Sequence, residues 1–248
     1  MLQIFSKKQF LKDLLEDFVD IHNHVLPGID DGAKTVEASM ELLKSLQGLG
    51  IKQCILTPHV MQDYYPNTKE TIRTSYQHLL DAISSYDQNN IKLKSAAEYM
   101  LDAHFEYLLE HEPLLSLKDN YVLIELSYLQ APINLEDLIF KITLNGYRPV
   151  LAHPERYRYF HNNLDYYKRL KYLGCLFQLN LLSLSEYYGK SVQKTAKYLL
   201  QDNLIDFAGT DVHHLHQVET LANLMLGKKT AGNLVAVIQN TNTTFVIP

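Results

Sequence analysis

The chain has no tryptophan and only two cysteines, Cys54 and Cys175. Both lie inside apolar runs, the setting of buried, inert thiols in a reducing compartment. Neither is followed six residues on by arginine, since Val60 and Leu181 stand there. A loop that cradles phosphate between a thiolate nucleophile and an arginine is therefore not encoded. No run reaches the about 20 apolar residues that a bilayer-spanning helix needs. The net charge of −5 gives no basic footprint for nucleic acid. Low-complexity segments and Pro- or Ser-rich linkers are also missing, so one domain over residues 1–248 is expected. These absences describe a cytoplasmic protein with no stable membrane insertion.

What is present is an ordinary core-forming composition, 46% hydrophobic over 248 residues, a common size for a single α/β barrel. At the N-terminus, Leu2, Ile4, Phe5, Phe10, Leu11, Leu14, Leu15 and Phe18 are interrupted by lysines and acids. That pattern predicts an amphipathic helix over about 1–18, and not the apolar region of a signal peptide. Docking on its own domain is the expected use. From Val19 on, strand-like runs alternate with helical ones about seven times. Strands are expected near Val19, over 51–57, 91–97, 121–126, 149–152 and 175–179, and at 205–209. The intervening segments carry helical periodicity, and Asn67 with Glu70 has the spacing of a capping box. Two helical segments, about 216–226 and 231–239, close the chain. Such alternation argues for a parallel sheet, open or closed into a barrel.

Position carries the chemistry. His22 and His24, His59, Glu98, Glu125, His153, and Asp211 with His213 all fall at or just past the C-terminal ends of expected strands. In a β/α barrel those ends share one face, so residues far apart in sequence converge there. His22 and His24 at i and i+2 project to one side of an extended segment, a spacing suited to two ligands of one ion. Asp30 and Asp31 add carboxylates from a turn-rich loop, and the residues leave open which of the two is used. So many imidazoles and carboxylates exceed the needs of one tetrahedral ion. Two or three bridged ions fit better, and a thiolate-free ligand set suits manganese, iron or zinc. Clustered cations of this kind activate water and clamp the oxygens of a phosphate ester, so phosphomonoester hydrolysis is the natural chemistry.

The ordered motifs Asp20-Ile-His-Asn-His24, Asp30-Asp-Gly32, Thr57-Pro-His59, Glu98-Tyr99, Ile124-Glu-Leu-Ser127, Ala152-His-Pro-Glu-Arg-Tyr157 and Thr210-Asp-Val-His213 resemble the polymerase and histidinol phosphatase (PHP) superfamily. Within it they are similar to bacterial manganese-dependent protein-tyrosine phosphatases encoded with capsule and exopolysaccharide genes. The resemblance implies a distorted seven-stranded (β/α) barrel with three Mn2+ ions. One ion would be held by His22, His24, Glu98 and Asp211, a second by Glu98, Glu125 and His153, and a third by Asp31, His59 and His213. Arg156 would bind the substrate phosphate, a role suited to a planar, always-charged fork. It also implies a tyrosine-phosphorylated partner, a bacterial tyrosine kinase that controls polysaccharide export. A small phosphomonoester such as histidinol phosphate is the alternative substrate. Tyr64 and Tyr65 are candidates for an aromatic pocket wall, and Asn180 for a hydrogen bond at the sixth strand end.

Overall fold

The computed structural model describes residues 8–84 and 91–248. Its strands are short, and most strand positions are followed by a helix. After β1 (Gln9–Phe10) come β2 (Val19–Asp20), α1 (Val36–Gly48), β3 (Gln53–Leu56), β4 (His59–Val60), α2 (Lys69–Ser84), β5 (Lys92–Ser95), β6 (Glu98–Met100) and α3 (Ala103–His111). Then β7 (Tyr121–Glu125), α4 (Leu135–Leu144), β8 (Arg148–Ala152), α5 (Leu164–Tyr172), β9 (Leu176–Asn180), α6 (Lys190–Gln201) and β10 (Phe207–Gly209) continue the alternation. The chain ends with α7 (Leu215–Asn223), β11 (Met225–Leu226) and α8 (Lys228–Phe245).

The strands form an α/β barrel that is stepped rather than regular. One parallel sheet runs β2-β3-β5 and another β4-β6-β7-β8-β9-β10. β3 and β4 are two halves of one strand position, broken at Thr57-Pro58 because proline has no N–H for the ladder. β5 and β6 are likewise halves, broken at Ala96-Ala97. Across the step the Ala96 and Glu98 amides donate to Leu56 O (2.8 Å) and Pro58 O (3.0 Å). The circle closes where the Asp211 amide donates to His22 O (2.7 Å) and the His24 amide to Val212 O (2.9 Å). Counted by position, this is the distorted seven-stranded barrel expected from the motifs.

Period-two alternation divides the strand residues between two cores. Cys54, Leu56, Val122, Ile124, Leu151, Phe177, Leu179 and Ala208 face outward and pack with the helices. Val19, Ile21, Ile55, Leu123, Val150, Ala152 and Phe207 form a separate inner cluster. Phe245 plugs its lower end, its ring edge-on to Tyr121 (5.2 Å) and Phe207 (4.8 Å). This plug explains why α8 runs past the end expected near Gln239: Thr241 Oγ1 accepts from the Ala208 amide (3.0 Å), and the next turn delivers Phe245 to the barrel floor. Both cysteines are buried, and burial pushes the Cys175 thiol up to about 12.

The N-terminal segment departs from the amphipathic helix expected over about 1–18. Residues 1–7 of that span lie outside the described residues. From there β1 pairs antiparallel with β11, and Leu11–Leu14 make a single 3-10 turn. The Leu11 amide donates to Leu224 O (2.8 Å), a tertiary bond that ties the segment to the chain end, and Asp17 turns the chain with a positive φ of 60° before β2. Leu11, Leu15 and Phe18 still bury fully in the outer core, so the apolar periodicity was a docking signal and not a helix signal. The same β1 pairing makes Met225–Leu226 a strand where the end of a helix was expected.

Truncating the plug, Phe245→Ala, should lower unfolding free energy by about 3–5 kcal/mol, the usual cost of an emptied aromatic core site. Urea denaturation followed by circular dichroism measures this, and a loss under 1 kcal/mol would mean that the barrel floor does not depend on α8.

Candidate metal centre

The inward side of several strands changes character near its C-terminal end. Leu123 gives way to Glu125, Leu176 to Gln178 and Asn180, and Phe207 to Gly209 and then Asp211. The apolar plug thus supports a polar floor. Nine side chains meet there: His22, His24, Asp31, His59, Glu98, Glu125, His153, Asp211 and His213. They form four overlapping groups whose ligand atoms lie within 4.8 Å of one another. Every residue expected from sequence to bind metal is among them.

Local backbone geometry aims these groups. His153 (φ 35°) and Asp211 (φ 52°) adopt left-handed conformations at the ends of β8 and β10, uncommon for residues with a Cβ. Gly209 is required because a Cβ there would stand 2.8 Å from His22 Cβ and 2.9 Å from Gln178 Nε2. Gly32 is required because a Cβ would fall 1.9 Å from His24 O.

Three histidines have their Nδ1–H taken by a protein acceptor. His22 donates to Gln178 Oε1 (2.8 Å), His24 to Asp30 Oδ2 (2.9 Å) and His213 to Asp211 O (2.9 Å). Each arrangement leaves Nε2 as the free lone pair facing the centre, as outer partners of metal-bound imidazoles do. The two neighbouring aspartates thereby separate. Asp30 is an outer partner, also accepting from the Gly32 and His59 amides (2.9 and 3.2 Å). Asp31 faces His59 Nε2 (3.5 Å) and His213 Nε2 (3.4 Å).

The donor set fits cations. Both Glu98 oxygens, Glu125 Oε1, Asp31 Oδ1, His59 Nδ1 and His153 Nδ1 are buried without a hydrogen bond of acceptable geometry. Buried carboxylates left so are costly unless a positive charge satisfies them. Glu98 sits at the middle, 3.2 Å from His22 Nε2, 3.0 Å from His59 Nδ1 and 3.3 Å from His153 Nε2. Burial and the His59 charge resist a proton on His24, yet Asp30 and Asp211 beside it push the imidazole up to about 10, so a cation bound there would take the place of a proton on Nε2. Burial and then the Arg156 charge push His153 down to about 4, which keeps it in the neutral, ligating form. Asp31, His59 and His213 group together as expected. Around Glu98 the neighbours are distributed differently from the expected second set: Glu125 groups with His59, and His153 with His22.

Arg156 flanks the floor. Its Nη1 donates to Asp211 Oδ2 (2.5 Å), while Tyr188 and Tyr128 lie against its guanidinium at 4.2 and 4.8 Å. Asn180 Nδ2 donates to the same Asp211 oxygen (2.9 Å). Above opens a cavity of about 480 Å3, walled by Met61, Tyr64, Tyr65, Met100, Tyr128 and Leu129.

Comparison with known proteins agrees with this geometry. The sequence profile of the CpsB/CapC family, described as capsular polysaccharide synthesis, matches residues 18–247. The chain belongs to the CpsB/CapC family. It is 32% identical to tyrosine-protein phosphatase YwqE of Bacillus subtilis over 198 residues, 79% of this chain and 78% of that one. It is 29% identical to tyrosine-protein phosphatase CpsB of Streptococcus pneumoniae, across 79% and 83% of the two chains. Among solved structures it is similar to that of a pair of metal-dependent tyrosine phosphatases, YwqE from B. subtilis and CpsB from S. pneumoniae. The TM-score is 0.75 at 29% identity, over 92% of this chain and 87% of that chain.

Some contributors to this CpsB/CapC site were missed by sequence reasoning. Gln178 is a polar residue in the middle of an apolar strand, a signal that was readable. Tyr128 had no signal, because its place beside Arg156 depends on the path of the loop after β7. Asn67 is not the helix cap its spacing suggests. Thr68 and Thr71 bond each other reciprocally, and Asn67 Nδ2 instead donates to Ile29 O (2.8 Å) and His59 O (2.9 Å), tying the aspartate loop to β4. His214 and His216 lie beyond the nine-residue cluster, and His216 Nε2 pairs with Tyr187 Oη (2.7 Å).

Replacing Gln178 with Leu removes the acceptor that orients His22 while keeping side-chain bulk. Divalent-cation affinity should fall about 10- to 100-fold, the usual cost of losing an outer partner. Titration calorimetry with Mn2+ reads this, and unchanged affinity with an intact circular dichroism spectrum would show that His22 needs no orienting bond.

Proposed function

We propose that this chain is a metal-dependent protein-tyrosine phosphatase that acts on a bacterial tyrosine kinase controlling capsular or exopolysaccharide synthesis. One observation carries the reading: a floor of nine ligand-type side chains and an arginine lies beneath an aromatic-walled cavity. An arginine beside the ligand cluster suits a phosphoryl group, and Tyr64, Tyr65, Tyr128 and Leu129 suit the phenyl ring above it. The YwqE and CpsB likeness points the same way. The substrate protein, the cytoplasmic location and the single-domain organisation belong to this proposal. Among the described residues no helix is long and apolar enough to cross a membrane.

His22, His24, Glu98 and Asp211 are proposed to hold one ion, Glu98, Glu125 and His153 a second, and Asp31, His59 and His213 a third. Manganese is the proposed occupant, and the nitrogen–oxygen set also accommodates iron or zinc. Cations bound there supply an activated water near neutral pH and offset the charge of the phosphoryl group. The chain's own residues do the rest. Arg156 spends one N–H on Asp211 and packs against Tyr128 and Tyr188, so its remaining N–H groups are pre-oriented for phosphate oxygens. The neutral His153 keeps a lone pair for ligation. The tyrosine walls exclude water from one side of the ester and fix the ring, which places the phosphorus over the floor. Neither cysteine takes part, since both are buried away from the cavity.

Phosphate release from a phosphotyrosine peptide and from histidinol phosphate, after chelation and return of Mn2+, tests the proposal. Restored activity that favours the peptide is expected. Preference for histidinol phosphate would redirect the same site to a small ester, and activity on neither would overturn the reading. Arg156→Lys should lower kcat/KM by about 100-fold or more, because an ammonium cannot reproduce the paired, stacked fork.

A further inference from the structure

We propose that a groove beside the catalytic cavity is a second anion subsite, which selects an acidic side chain flanking the phosphotyrosine, either a carboxylate or a second phosphoryl group. This inference rests on the reading of the site as a protein-tyrosine phosphatase.

The groove has a volume of about 300 Å3 and is lined by Tyr128, Arg156, Arg158, Tyr188 and Val192. Tyr128 and Arg156 also line the catalytic cavity, so the two spaces share a wall. An extended peptide with its phosphotyrosine in the cavity must carry a neighbouring side chain along the rim that the groove adjoins.

Arg158 sets the charge of this groove. Among the described residues every other arginine is engaged: Arg73 with Glu70, Arg169 with Glu136, Arg156 with Asp211, and Arg148 with the Tyr121 hydroxyl. Arg158 is exposed and has no acidic partner among the described residues. Its hydrogen bond is a long one, Nη2 to Tyr188 O at 3.5 Å. That contact places the guanidinium at the foot of α6, next to Gly189, with no bond to its other N–H groups among the described residues. Val192, in the first turn of α6, forms one wall, so the partial positive charge of the helix start adds to the same field. The tyrosine rings give an apolar lining for the methylenes or the ring of an acidic side chain, and the guanidinium receives its charged end.

The test uses the full chain loaded with Mn2+ and phosphotyrosine peptides of one length. Glutamate, a second phosphotyrosine, glutamine or lysine is placed in turn at each nearby position. For the wild type, one flank should show kcat/KM about 3- to 10-fold higher with an acidic residue than with glutamine, a preference that shrinks in high salt. In Arg158→Ala that ratio should fall to about 1, and in Arg158→Glu it should reverse in favour of lysine. A preference for both glutamate and phosphotyrosine identifies an anion subsite, and one for phosphotyrosine alone a phosphoryl subsite. A wild type indifferent to its flanks, or a ratio that survives Arg158→Glu, overturns the inference while leaving the phosphatase reading standing. A wild type inert on free phosphotyrosine and on every peptide overturns both.

Discussion

The structure turns on a carboxylate, Glu98, buried completely among imidazoles at the mouth of the barrel. A buried negative charge must be matched, and here His22, His59 and His153 approach it from three different strands. Glu125 and Asp211 compound the demand, because burial and the Glu98 charge both push the Glu125 carboxyl upward. Such a cluster is expensive in an apo fold and favourable around cations, so residues that fold poorly as a core serve well as a site. The apolar plug beneath it, ending in Phe245, supplies the packing that the polar floor cannot.

Stability and chemistry are thereby separated along the barrel axis. The lower strand halves bury Val19, Ile21, Ile55, Leu123 and Val150, and the upper ends carry the ligands. The step at Thr57-Pro58 and Ala96-Ala97 shifts two strands partway up, which lets His59 and Glu98 each begin a new strand segment at the level of the floor. An unbroken ladder would carry those side chains on with the pleat. Close approach at Gly209 and Gly32 then lets His22 and His24 sit against neighbouring strand and loop backbone.

Arg156 joins the floor to the cavity above. Its bond to Asp211 and its contacts with two tyrosine rings restrict a long, flexible side chain. Asn180 reinforces this by holding the same Asp211 oxygen. A positively charged group fixed before substrate arrives loses little entropy on binding, which is the physical basis of pre-organised anion recognition.

The sequence by itself determined the α/β alternation and the strand-end set His22, His24, His59, Glu98, Glu125, His153, Asp211 and His213, because period-two patterning and strand-end position are local properties carried by the residues themselves; closure into a barrel, Asp31 and Arg156 were legible only through the resemblance of the ordered motifs to a known family. The sequence also showed that neither thiol opens a loop cradling phosphate with an arginine six residues on. Tertiary structure gave the physical reason for Asp31 over Asp30: Asp31 faces His59 and His213, while Asp30 is taken by His24 and by the Gly32 and His59 amides. It turned the N-terminal amphipathic pattern into a docked strand and turn, because pairing with Met225–Leu226 and burial against a distant core outweigh local helical preference. It gave Asn67 to the loop carbonyls rather than to a helix end, brought Tyr128 and Tyr188 against Arg156, and left Arg158 beside them with no acidic partner among the described residues. Each of these depends on contacts between segments far apart in the chain, and such contacts exist only once the barrel has closed.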